Sequence, residues 1–208
     1  MFLAKSLALQ PSLMRYLSLV SALAATALAQ TPPGSYPSTN KNFGVAFPNA
    51  TVTPGTWVSP DDVTSQPAVY VTDKLNKDAT YMIFMLDLNI PDSDVTTAAY
   101  YNTLVPGLAV NTTTRLHWWG GNYTIQNGRF VNASDALAEY TAPRPRDSTN
   151  HTYTLYLFDQ PEGYVPPEKA LDGTYYSQTT SARFNFTLEP IVKAVGGPIA
   201  ANYFLSDA

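Results

Sequence analysis

Four side chains in this 208-residue chain are of types suited to polar chemistry, and each stands at the edge of, or within, an apolar run. His117 in "RLHWWGGNYTI" (115–125) and His151 in "NHTYTLYLFDQ" (150–160) are its two histidines. Asp87 closes "TYMIFMLD" (80–87), and Tyr153 follows His151 by two positions. Alternate side chains of a strand share a face, so His151, Tyr153, Leu155 and Leu157 form one set, and Thr152, Thr154, Tyr156 and Phe158 the other. By the same rule Asp87 lies with Met85 and Ile83. Two imidazoles with an ordinary pKa of about 6.5, a phenol and backbone N–H groups can give charge-assisted hydrogen bonds to a phosphate or carboxylate. Asp87 cannot accept from an ionised phosphate, so its expected role is to orient a histidine or to receive a cationic group. Anion affinity is then expected to rise as pH falls through the histidine range. Taken singly, each residue also has a plainer reading: a hydrogen-bonded core histidine, a solvated strand end, one of fourteen tyrosines.

The elements that must position these groups read as strands. "PAVYVTD" (67–73) alternates, whereas "TYMIFML" (80–86) is almost continuously apolar, as a strand buried on both faces would be. Seventeen prolines interrupt the chain too often for a helical bundle. Helical patterns are confined to 94–104 and 188–195, the second with Pro190 in its first turn and Gly196-Gly197 as a stop. The expected architecture is one mainly antiparallel β domain with one or two short peripheral helices.

Residues 1–29 carry Lys5 and Arg15 as their formal charges, then a small-and-apolar run ending in Ala27-Leu28-Ala29. This is the pattern of a cleaved secretory leader, and its apolar stretch is short for a membrane span. Residues 30–41, "QTPPGSYPSTNK", read as a flexible polar arm, and 42–208 as the folded domain. Removing the leader leaves ten Lys and Arg against sixteen acids, a charge that argues against nucleic acid and suits an extracellular protein. Sequons at Asn49, Asn111, Asn122, Asn132, Asn150 and Asn185 fit passage through a secretory route. The chain has no cysteine, so a hydrophobic core must supply its stability. No H-E-x-x-H, no G-x-S-x-G and no close His-x-acid metal spacing is present; neither catalysis nor a cofactor or metal is implied.

Four segments in order resemble the phosphatidylethanolamine-binding protein family. "MIFMLDLNIP" (82–91) is similar to its D-P-D-x-P segment, "LHWW" (116–119) to its H-W segment, and "APRPRDSTNHTYTLYLFDQP" (142–161) to its G-x-H-x-Y segment. "RFNFTLEPIVKAVGGPIAANYF" (183–204) is similar to its closing strand, helix and terminal segment. The resemblance implies a β-sandwich-like fold with a small anion pocket at one end, containing Asp87, His117, Pro145, His151 and Tyr153. Pro91 would shape the rim through a cis peptide, and Phe204 would lie over the opening. Leu88 and Asn89 stand where the family has Pro and Asp, "DSTN" replaces a Gly-rich approach, and Thr152 replaces an Arg. The implied function is non-catalytic binding of small anions or phospholipid head groups. The alternative is inhibition of a serine carboxypeptidase or other protease, with the arm at 30–41 as a contact.

Overall fold

The computed structural model describes residues 30–91, 112–132, 134–146 and 148–208. Eight strands appear in the order β1 (Gly44–Ala46), β2 (Thr56–Trp57), β3 (Ala68–Tyr70), β4 (Thr80–Pro91), β5 (Thr112–Gln126), β6 (Arg129–Asn132), β7 (His151–Gln160) and β8 (Ala200–Ser206). Helices α1 (Glu168–Leu171) and α2 (Glu189–Val195) lie between β7 and β8. The strands form one sheet, β1-β3-β6-β5-β4-β7-β8-β2, antiparallel except where β2 runs beside β8. The domain is mainly β, as the sequence implies.

β4 is central, and its apolar run serves two cores. Tyr81, Ile83 and Met85 pack on one face with Tyr153, Leu155, Leu157 and Phe204. Met82, Phe84 and Leu86 pack on the other with Trp119, Tyr156, Phe158 and residues from both helices. The period-two reading of β4 and β7 therefore holds through both strands. β5 turns into β6 at Asn127-Gly128, both at positive φ, where glycine carries no steric cost and asparagine little. α2 begins with Glu189, carries Pro190 in its first turn and stops at Gly196 (φ 90°), close to the boundaries its sequence indicates.

Two expectations change. The arm is laid onto the body: Thr31 and Pro37 are buried, and Thr31 Oγ1 donates to the Thr39 carbonyl. Its polar composition hides this, because Ser and Thr in turns satisfy their neighbours' backbone. The closing strand at 183–187 is reduced to a bridge between Phe184 and Arg115, preceded by a 3-10 turn at Ser181–Arg183. Pro91 ends β4 opposite Thr112, and a cis peptide precedes Pro37 in the arm. The helix expected at 94–104 lies outside the described residues.

Candidate functional site

Register assembles the site. Asp87 stands opposite Tyr153 on β7 and opposite Arg115 on β5, while Tyr153 stands opposite Phe204 on β8. One row across four strands thus carries a cation, a carboxylate, a phenol and a phenyl ring. His151, two residues before Tyr153, reaches back along β7 so that Nδ1 lies 2.7 Å from Asp87 Oδ2, both side chains being almost fully buried. With the carboxylate ionised, Nδ1–H donates to it, which fixes the ring's orientation. The His151 and Tyr153 rings lie nearly parallel at 6.2 Å, and Phe204 continues the stack at 5.3 Å from Tyr153.

His117 arrives by a different device. Met85 pairs with Trp118 and Leu86 with Leu116, so His117 is an extra residue in a β-bulge. The bulge puts His117 and Trp118 consecutively toward one core, where His117 meets the Tyr153 ring edge-on at 5.2 Å. Strict alternation would have sent it to the opposite face. Its backbone carbonyl accepts from the Thr141 N–H at 2.7 Å, and its Nδ1 lies 2.7 Å from the Thr141 carbonyl. A carbonyl only accepts, so Nδ1 carries the hydrogen and the neutral ring holds its lone pair on Nε2. Burial lowers the His117 pKa to about 3; the Arg115 guanidinium adds to this and the Thr141 carbonyl opposes it. The expectation that both histidines charge near pH 6.5 therefore fails for His117, which stays neutral.

Under the Thr141 clasp lies a residue that sequence reading placed only in a closing strand. Arg183 is fully buried and donates to the carbonyls of Tyr175 (2.8 Å), Glu139 (2.7 Å) and Tyr176 (2.6 Å), to Thr141 Oγ1 (2.8 Å) and, at 3.4 Å, to the His117 carbonyl. Desolvation brings its pKa down to about 10, Arg115 lowering it further and Glu139 opposing. The guanidinium thus remains charged at neutral pH.

Above the clasp opens a cleft of about 500 Å³ whose wall includes Arg115, Arg144, Arg146, Thr141 and Pro145. Arg115 also donates to the Gln178 carbonyl at 3.0 Å and lies over the Phe184 ring at 5.1 Å. Three of the chain's six arginines meet in this cleft. The sequence signal for it is "RPR" before the His151 strand and an arginine two positions before His117.

The structure brings Asp87, His117, His151 and Tyr153 together as expected and sets Pro145 in the arginine cleft. Phe204 is a fully buried part of the back wall, packed against Tyr153 and Phe47, and does not lie over an opening. Asp87 Oδ2 is engaged by His151, which favours the orienting role over reception of a ligand cation. Pro91 stands in the last ladder position of β4. Of the six sequon asparagines, Asn49, Asn122, Asn150 and Asn185 are exposed, Asn132 is half-buried, and Asn111 lies outside the described residues.

The family model for phosphatidylethanolamine-binding protein matches residues 39–204. The chain belongs to that family. Among curated members it is 31% identical over 209 residues to phomoidride biosynthesis cluster protein N of Talaromyces stipitatus, covering 90% of this chain and 95% of that protein. A protein of the same name from another fungus is 29% identical over 61% of this chain and 52% of its own length. Among solved structures the fold is similar to the carboxypeptidase Y inhibitor complexed with its cognate proteinase: TM-score 0.54, 18% identity, 80% of this chain and 82% of that one. At that identity the likeness concerns the fold. In this chain Asp87, the two histidines and Tyr153 lie together at the end of the sheet, with the arginine cleft beside them.

Proposed function

We propose that this protein is a secreted, non-catalytic binder of a small phosphate- or carboxylate-bearing ligand, of the phospholipid head-group class. The observation that carries the reading is the cleft in which Arg115, Arg144 and Arg146 converge on a chain whose net charge is −4. Guanidinium groups offer paired N–H donors that match a phosphate or carboxylate. The Asp87–His151 pair lies at the same end of the sheet, behind the cleft wall rather than in it.

An Asp–His pair is also two-thirds of a nucleophile-activating triad. The hydroxyl opposite His151 in register is Ser206, which is fully buried and donates to the Val58 carbonyl at 2.8 Å. Its proton is therefore directed away from the imidazole, which favours binding over acyl transfer. The relatives named for a biosynthesis cluster suggest a second source of anion, a carboxylated intermediate or product. Titrating wild-type protein with O-phosphorylethanolamine and, separately, with succinate distinguishes the sources by relative affinity. Arg144→Met/Arg146→Met is expected to weaken the tighter ligand at least tenfold; unchanged affinity, or no binding of either at 10 mM, rejects the reading. Secretion is tested by recovery from the medium with Gln30 as the new N-terminus.

The protease-inhibitor reading is supported by the fold likeness and by Tyr36, 66% exposed on the docked arm. Inhibition of a serine carboxypeptidase that disappears when residues 30–38 are removed would favour it.

A further inference from the structure

On the other face of the sheet lies a second cleft, of about 430 Å³, between the 3-10 turn at Ser181–Arg183 and the start of α2. Its volume is in the range of sites that enclose small organic molecules. Trp119, Tyr175, Phe184 and Phe186 form aromatic walls, with Tyr175 and Phe186 edge-to-face at 5.5 Å and Trp119 and Phe186 at 6.2 Å. Trp119 is fully buried, and its indole Nε1–H has no hydrogen-bond acceptor among the described residues. A buried donor without an acceptor is costly, and such groups are normally paired. Trp118 shares this feature, but it lines none of the described clefts and sits edge-on to Tyr123 and Tyr140. Lys169 is the one charged side chain among the described residues of the wall.

We infer that this cleft binds a planar aromatic carboxylic acid, its ring among Trp119, Tyr175 and Phe186 and its carboxylate toward Lys169. The aromatic walls supply stacking and edge contacts to a flat ring, and the ammonium selects an anion over a neutral analogue. The site is separate from the arginine cleft, although Phe184 borders both. It asks for a different ligand, since its wall is largely apolar where the other is largely polar and carries three arginines.

With three tryptophans, the indole N–H region of a ¹H–¹⁵N spectrum has three signals, and Trp57→Phe begins their assignment. Sodium 2-naphthoate is expected to move the Trp119 signal downfield to saturation, with a Kd on the order of 1 mM or tighter. The Trp57 signal should stay in place. Ala182→Leu, which narrows the cleft from an edge of the 3-10 turn, should weaken the probe at least tenfold while the two histidine ring signals keep their wild-type positions. Lys169→Met should weaken naphthoate several-fold and leave the neutral ketone 2-acetonaphthone unchanged. The inference is overturned if 10 mM naphthoate leaves Trp119 unmoved, if Ala182→Leu binds it as well as wild type, or if acetate moves the signal equally. It is also overturned if O-phosphorylethanolamine displaces the naphthoate, since the two clefts would then be one site. Failure of head-group binding alone would leave these outcomes intact.

Discussion

The bulge in β5 and the first residue of β7 each carry a histidine to the same tyrosine, yet they prepare two different groups. His151 meets a carboxylate, so a proton on its ring has a counter-charge at 2.7 Å. His117 meets a carbonyl, lies near Arg115 and is almost fully buried, so a proton on its ring has little to stabilise it. One imidazole faces a carboxylate and the other a neutral carbonyl. Residue type and proximity to an aromatic ring are shared between them; the partner on Nδ1 separates them.

The largest expected effect removes the support beneath the neutral histidine. Arg183→Met strands several buried carbonyls and Thr141 Oγ1, and is expected to cost about 4 kcal/mol in urea unfolding. Arg183→Lys keeps the charge but loses the planar fork, and should recover about half. A loss below about 1 kcal/mol for Arg183→Met would mean that the His117 side needs no such clasp. Next comes the charged side: Asp87→Ala leaves a buried imidazole without its carboxylate and should cost about 3 kcal/mol. Asp87→Asn, which can still accept from Nδ1–H, should cost closer to 1 kcal/mol. Equal costs for the two would show that the charge of Asp87 does not matter to His151.

The contrast between the histidines was half legible in sequence. Strand alternation put Asp87 with Met85 and Ile83, and His151 with Tyr153 and Leu155, because β4 and β7 pair without slippage from Thr80 to Asp87. His117 could be placed near them by family resemblance but not by period, since a bulge reverses the parity of every residue beyond it. Arg183 was illegible for another reason. Arginine is almost always solvated, and the five acceptors that make its burial tolerable come from three separate stretches of the chain, at 117, 139–141 and 175–176. The arginine cleft likewise joins β5 to the segment before β7, a contact that no local pattern records.

A smaller effect follows from the lowered pKa of His117. The unfolded chain binds a proton on this residue below about pH 6.5, and the folded chain does not until about pH 3. The unfolded state therefore binds more protons throughout that window, and stability must fall as pH drops. Between neutral pH and pH 5 this residue alone should remove about 2 kcal/mol. His117→Asn, whose amide can still donate to the Thr141 carbonyl, should flatten that part of the pH–stability curve. The same slope in wild type and variant would show that His117 is not the group responsible.

The smallest effect is spectroscopic, and it isolates the contrast most cleanly. Lowering pH from 7.5 to 4.5 should leave the His117 ring carbons and nitrogens at neutral-imidazole positions, because its pKa of about 3 lies below the whole range. Its Nδ1 should show the shift of a protonated nitrogen and its Nε2 that of a bare one, since the hydrogen is committed to Thr141. In Asp87→Asn the His117 signals should not change, because Asp87 is the partner of the other ring. The His151 signals should change, in both position and response to pH. If both rings responded to Asp87→Asn alike, the two imidazoles would titrate as one coupled unit through Tyr153, and His117 would join His151 as a charge-bearing group of the site.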